Sequence, residues 1–84
     1  MKDGISDIIG KTISDVVIAN KDSEPKLEVF LVFSDGTYFE FWGNSFTGAG
    51  GVNRGGLVEV SDYVKSMGAR ITEVYPANKL GEKD

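Results

Sequence analysis

The chain of 84 residues contains neither cysteine nor histidine. Without cysteine it forms no disulfide and offers no thiolate as a nucleophile or metal ligand. Without histidine it lacks Ser-His-Asp and Cys-His systems, imidazole metal sites and the side chain that ordinarily titrates near neutral pH. These two absences remove most enzyme mechanisms. The sequence therefore predicts a protein that is not an enzyme and that uses no cofactor and no metal.

Long apolar runs and clusters of basic residues are also missing. No apolar stretch approaches the ~18 residues of a membrane-spanning helix, and residues 1–10 contain two aspartates where a signal peptide would be apolar. Nine scattered Lys and Arg residues against thirteen Asp and Glu residues give a net charge of −4. Because phosphate binding depends on clustered positive charge, we expect no nucleic-acid or membrane partner. The negative net charge favours a cationic or neutral partner instead. We also expect a cytoplasmic location.

The spacing of the apolar residues predicts a single α+β domain over residues 1–76 and a flexible polar tail over residues 77–84. The predicted order is α-β-β-β-α-β, and the six elements are a short helix over 3–11, strands over 12–19, 26–34 and 37–42, a helix over 57–67 and a strand over 70–75. We expect a mainly antiparallel four-stranded sheet with the longer helix packed on one face.

The central hairpin is predicted to turn through a two-residue Asp35-Gly36 connection, which suits a type I′ turn. In that register one face carries Phe30, Val32, Phe39 and Phe41, and the other carries Leu27, Val29, Leu31, Phe33, Tyr38, Glu40 and Trp42. The short helices cannot cover both faces. We therefore expect the second face, through Val29, Leu31, Tyr38 and Trp42, to contact a second copy of the chain or a protein partner.

Six of the eleven glycines lie in residues 43–56, between the most aromatic strand and the longer helix. The dinucleotide pattern G-x-G-x-x-G begins at Gly48 and Gly50 but meets Asn53 at its third glycine, and the Walker pattern lacks its lysine after Gly55. The segment is interpreted as a mobile connection, or as a loop that becomes ordered around a partner or small ligand. In the second interpretation the contacting side chains are Asn44, Phe46, Asn53 and Arg54.

Glu40 is the acidic residue that fits its surroundings least well, because the predicted register places it among apolar side chains. Burial there would raise its pKa. It is either a functional acid or ligand contact, or a carboxylate that stays wet at a sheet edge or pairs with Lys or Arg.

Three functions remain open at this point. The leading one is a small acidic, non-enzymatic interaction module of inhibitor, immunity or regulatory type, which self-associates through its apolar sheet face. The alternative is a small-ligand-binding domain in which the glycine-rich segment 43–56 closes over an aromatic pocket near Trp42. The third is a carboxylate-based enzyme that uses Glu40 with a tyrosine.

Overall fold

Five antiparallel strands form one sheet, and an α-helix packs on one of its faces. The computed structural model describes residues 4–23, 27–42 and 48–76. Its elements, in chain order, are a 3-10 helix Ile5–Ile8, β1 Ile13–Asn20, β2 Leu27–Phe33, β3 Thr37–Trp42, β4 Gly48–Arg54, α1 Leu57–Ser66 and β5 Arg70–Tyr75. The strands lie in the order β4-β3-β2-β1-β5.

The α+β class and the general order of the elements are confirmed, but the prediction of four strands is wrong. The additional strand is β4, which lies within the glycine-rich segment 43–56 and pairs with β3. The composition of this segment concealed it, because glycine has low strand propensity. Residues 43–47, which include Asn44 and Phe46, and the predicted tail over 77–84 lie outside the described residues.

A β-bulge explains why two of the glycines stand in a strand. Phe39 pairs with Val52 and Phe41 pairs with Ala49, so Gly50 and Gly51 together face the single residue Glu40. Gly51 has a φ of 75°, a left-handed conformation that side-chain-bearing residues adopt with strain. The bulge therefore requires glycine at residue 51.

The register of the central hairpin differs by one residue from the prediction. The connection has three residues, Ser34, Asp35 and Gly36, with Gly36 at a φ of 85°. The Asp35 side chain accepts hydrogen bonds from the backbone N–H of Thr37 at 3.1 Å and from its hydroxyl at 2.5 Å. Because side chains alternate along a strand, this shift of one residue moves every β3 side chain to the other face relative to β2.

The N-terminal helix predicted over residues 3–11 is only one turn of 3-10 helix, Ile5–Ile8. Gly4 and Gly10 both have positive φ, at 74° and 85°, and leave too few residues between them for an α-helix. Gly4 packs against β4, where a Cβ on Gly4 would lie 3.0 Å from the Cα of Gly51.

The sheet has two unlike faces. The face under α1, here called the helix face, carries the main core of Val17, Ala19, Phe30, Val32, Val60 and Val64. The opposite face, here called the open face, carries the 3-10 helix near β4 and the half-buried side chains Val16, Ile18, Val29, Leu31 and Phe41. In the part of the chain that is described, no helix has the length and apolar character needed to cross a membrane.

Candidate functional site

The predicted binding residues do not share one surface. Val29 pairs with Phe41 and Leu31 pairs with Phe39, which places Val29 and Leu31 on the open face. Tyr38, Glu40 and Trp42 lie on the helix face, as shown by the pairs Val32–Tyr38, Phe30–Glu40 and Glu28–Trp42. The prediction that Val29, Leu31, Tyr38 and Trp42 form one face is therefore wrong, and the cause is the one-residue error in hairpin register.

Asn53 and Arg54 lie at the end of β4, a strand at the edge of the sheet, and both are exposed. Asn53 pairs with Tyr38 and donates a hydrogen bond to the backbone oxygen of Gly50 at 3.3 Å. Arg54 pairs with Thr37. These two residues are thus part of an ordered strand rather than of a connecting loop.

A cleft of about 310 Å³ opens where the C-terminal half of α1 lies beside β2 and β3. We call this feature the cleft; its lining residues are Lys21, Glu28, Glu40, Trp42, Tyr63 and Met67. The helix provides Tyr63 and Met67, the two central strands provide the carboxyl groups and the indole, and Lys21 follows the end of β1. Tyr63 is held in place by an edge-to-face contact with Phe30, at 5.9 Å between ring centroids.

Two carboxyl groups of the cleft are buried side by side. Glu28 is 2 % exposed and Glu40 is 4 % exposed, although glutamate is among the residues least often found inside proteins. They stand on neighbouring strands of the same face, since Glu28 is opposite Trp42 and Glu40 is opposite Phe30. Oε1 of Glu28 is buried and has no hydrogen-bond partner among the described residues. The other buried acid, Asp15, lies elsewhere and accepts a hydrogen bond from the Ser14 hydroxyl at 2.9 Å.

The electrostatics of the cleft keep Glu40 protonated to an unusually high pH. Burial is the main cause, and together with the hydrogen bond and the charge of Glu28 it raises the pKa of Glu40 from its ordinary 4.5 to about 7. A hydrogen bond from Tyr63 and the charge of Lys21 oppose this effect. Burial and the nearby Glu40 raise the pKa of Tyr63 to about 12, so its phenol stays protonated. Glu40, with Glu28 beside it, thus retains its proton at a pH where an isolated glutamate would have lost it.

Gly50 of β4 lies next to two residues of the cleft. A Cβ at this position would lie 3.5 Å from the Glu40 Oε1 and 3.5 Å from the Cζ3 of Trp42. The backbone of β4 therefore runs directly beside the carboxyl group and the indole ring. Both distances are ordinary van der Waals contacts, so an alanine would fit at residue 50.

Sequence reasoning identified Glu40 and Trp42 but missed Lys21, Glu28, Tyr63 and Met67. A signal for Glu28 was present, because it is the lone charged residue in the strand Leu27–Phe33, as Glu40 is in Thr37–Trp42. A pair of single acids in two adjacent apolar strands indicates a buried carboxyl pair once the register is right. Nothing in the sequence brings Lys21 near them, because that depends on the turn after β1.

The carboxyl pair sets the chemistry available to the cleft. It offers acceptors and negative charge between two aromatic rings and a thioether. Within residues 4–23, 27–42 and 48–76, no three acidic, histidine or cysteine side chains come together in a group that could hold a metal ion.

Comparison with known proteins gives no relative from which to assign a function. No protein-family model matches the chain, and neither the curated proteins nor the solved structures contain a significant match.

Proposed function

We propose that this protein is a non-enzymatic interaction module of inhibitor, immunity or regulatory type, and that it binds a protein partner by taking a cationic side chain of that partner into the cleft. The observation that carries this proposal is the buried pair of Glu28 and Glu40 on the cleft floor. Such a pair is matched by a positive group, which would partner the carboxylates and relieve their mutual repulsion.

The carboxyl pair is unfavourable for folding, which supports a role in binding. The alternate positions on the helix face of the same strands hold apolar or aromatic residues such as Phe30 and Val32. Replacement of buried charged groups by well-packed apolar residues is often neutral or stabilising. Groups whose pKa is strongly perturbed inside a cleft are frequently those that bind or react.

The net charge of the chain suits the same kind of partner. The protein carries a formal charge of −4, so its long-range field attracts a positively charged surface and speeds the encounter. A basic protein partner would lose this advantage at high salt, because screening shortens the range of the field to about 3 Å at 1 M ionic strength.

The open face supports a second contact, between two copies of the chain. Its centre consists of Val16, Ile18, Val29, Leu31 and Phe41, which are half-buried and uncharged. A two-fold contact places the same patch against itself, and this patch brings no like charges together at its centre. We propose that the protein self-associates here, which leaves the cleft on the opposite face accessible in each copy.

Light scattering after size-exclusion chromatography, over a hundredfold range of concentration, tests this contact. We expect the wild-type mass to approach that of a dimer at high concentration and the Leu31→Asp variant to stay monomeric with unchanged circular dichroism. A wild-type protein that remains monomeric throughout, or a variant that associates equally well, contradicts the proposal.

A small-ligand-binding domain is the second candidate. The specific observation in its favour is the size of the cleft, because about 310 Å³ lies at the lower end of the range for small-molecule sites. Trp42 and Tyr63 would then contact the ligand directly. In this alternative, a cell lysate from which the proteins have been removed should quench the fluorescence of Trp42 as strongly as the whole lysate does.

Comparative capture tests the partner proposal. Wild type, the double variant Glu28→Gln/Glu40→Gln and the control Asp62→Asn are immobilised, and proteins retained from a cell lysate are quantified. Asp62 is an exposed acid on α1, so the control removes a charge outside the cleft. We expect a basic protein that wild type and control retain and the double variant loses. Equal retention by all three baits would show that the cleft is not the contact.

A further inference from the structure

We infer that the cleft is a guanidinium site, in which the carboxyl groups of Glu28 and Glu40 bind a planar cation. This inference rests on the proposed function and names the chemical group that the cleft accepts. It also makes binding dependent on pH in a chain that has no histidine.

The acceptor arrangement is the first argument. The carboxyl groups of Glu28 and Glu40 project from neighbouring strands onto one face. In the part of the chain that is described, Oε1 of Glu28 has no hydrogen-bond partner although the side chain is only 2 % exposed. A guanidinium group presents five N–H donors in one plane and can bond two carboxylates at once. It would supply the donor that Glu28 lacks within the described residues.

The walls of the cleft are the second argument, because they distinguish among cations. Trp42, Tyr63 and the thioether of Met67 surround the carboxyl groups. A guanidinium group is weakly hydrated and stacks on aromatic faces, whereas an ammonium group is compact and strongly hydrated. Calcium and magnesium prefer six or more oxygen ligands, and two carboxyl groups provide four. The cleft therefore suits a planar organic cation best.

The charges that face the carboxyl pair define the proton exchange. Tyr63 on α1 and Tyr38 on β3 are neutral phenols whose pKa values are raised, in part by Glu40, while the backbone of β4 passes Glu40 at Gly50. Lys21 is a cation that acts on Glu40 from the end of β1. Its charge does not offset burial, since the pKa of Glu40 remains at about 7. A second positive charge inside the cleft would favour ionisation of Glu40, so its binding releases the proton of Glu40.

The sign of the pH dependence follows from this exchange. Below about pH 7 Glu40 of the free protein holds a proton that the bound form loses, so the affinity for a guanidinium group rises roughly tenfold per pH unit. Above about pH 8 Glu40 of the free protein is already ionised, and the affinity levels off. Lys21→Met removes the competing charge and should strengthen binding.

Isothermal titration calorimetry with a defined probe tests the inference. The probe is N-acetyl-L-arginine amide, and its neutral matched control is N-acetyl-L-citrulline amide, in which an oxygen replaces one guanidinium nitrogen. Titrations at about pH 6 in phosphate and in MES, which differ in ionisation enthalpy, report the number of protons released. We expect the arginine amide to bind with release of about one proton, and the citrulline amide to bind at least tenfold more weakly.

Variants connect the signal to the carboxyl pair. Glu40→Gln should weaken binding at least tenfold and abolish the dependence on buffer, while Asp62→Asn should leave both unchanged. Circular dichroism and the emission of Trp42 report whether each variant is folded. The inference is overturned if the arginine amide binds without proton release or if N-acetyl-L-lysine amide binds more tightly than the arginine amide. It is also overturned if neither the arginine amide nor the lysine amide binds.

The last outcome separates the inference from the proposed function. If no probe binds but the capture of a basic protein still depends on Glu28 and Glu40, the guanidinium assignment fails and the interaction module stands. If capture is the same for the double variant and wild type, the proposed function fails, whatever the probe does.

Discussion

Replacement of Glu40 by glutamine should remove most of the pH dependence of stability between about pH 5 and pH 8. Glutamine keeps the size of the side chain and cannot ionise. In wild type the folded protein holds a proton on Glu40 at a pKa of about 7, whereas the unfolded chain releases it at the ordinary value of 4.5. The native state therefore binds more protons than the unfolded state in this range, and stability falls as pH rises.

The magnitude follows from the two pKa values. With a pKa of about 7 in the folded state and 4.5 in the unfolded state, the stabilisation is fully present below pH 4.5 and is lost as pH rises through 7. Between about pH 5 and pH 8 the free energy of unfolding should drop by roughly 2 to 3 kcal/mol. Such a drop is large for a domain whose total stability is about 5 to 15 kcal/mol.

Urea denaturation monitored by the fluorescence of Trp42 measures this difference, because the chain contains a single tryptophan and it lies in the cleft. Wild type, Glu40→Gln and the control Asp62→Asn are unfolded at about pH 5, 6, 7 and 8, and the free energies are extrapolated to water. We expect wild type and the control to lose stability in parallel and Glu40→Gln to stay within about 1 kcal/mol of its value at pH 5. Parallel profiles for wild type and Glu40→Gln would refute the reasoning.

Three further substitutions test separate contacts. Tyr63→Phe removes the hydrogen bond that lowers the pKa of Glu40. The pH at which half of the stability change has occurred should therefore move above 7 in the same urea experiments. An unchanged pH midpoint would contradict this. Glu59→Ala removes the acceptor of the Gly56 N–H, bonded at 2.9 Å, and should lower the free energy of unfolding at neutral pH. Because backbone hydrogen bonds lower the pKa of Glu59, that difference should shrink as pH falls below its ordinary value, and urea unfolding at low pH checks it. Gly55→Ala should lower the melting temperature strongly, because φ is 138° and the new Cβ would lie 2.8 Å from the Cβ of Glu59. Gly56→Ala is the matched control, because φ is −108° at that residue, and it should lower the melting temperature by much less. Calorimetry compares the two variants, and equal melting temperatures would contradict the prediction.

The elements that could be predicted from the sequence are those whose signals are local. The β-branched run of β1, the alternation of β5 and the helical spacing of α1 with its cap at Gly68 depend on a few neighbouring residues, and their positions agree with the structure to within a residue or two. The hairpin was found for the same reason, from Asp35-Gly36.

The pairing within the hairpin could not be fixed by the turn residues alone. Asp35-Gly36 suits a two-residue connection, but the side chain of Asp35 binds Thr37 and Lys11, the latter at 2.5 Å between Nζ and Oδ2. These bonds favour a three-residue loop with Gly36 in the left-handed region. Lys11 is distant in sequence, so its contribution to the turn is visible only in the folded chain.

The strand β4 was missed because its residues are held there by their partners rather than by their own propensity. Gly50 and Gly51 form a bulge against Glu40, and Gly51 also packs closely against Gly4. Glycine permits these close backbone approaches but carries no sequence signal for pairing. The same long-range contacts place Gly50 beside the cleft.

The buried carboxyl pair could be predicted only in part from the sequence. Glu40 was identified as an acid among apolar neighbours, and its burial excludes the alternative of a carboxylate that stays wet at a sheet edge. Its neighbours were wrong, because the predicted register paired it with Leu31 rather than Phe30. The correct register places Glu28 beside it and converts a single unusual acid into a carboxyl pair.

The most direct measurement is a carbon-13 NMR titration of the side-chain carboxyl group of Glu40 in the free protein. We expect the Glu40 resonance to titrate with a midpoint near 7, as its pKa of about 7 requires. A Glu40 midpoint near its ordinary 4.5 would contradict the buried, protonated Glu40 on which the pH dependence of the proposed cation site depends.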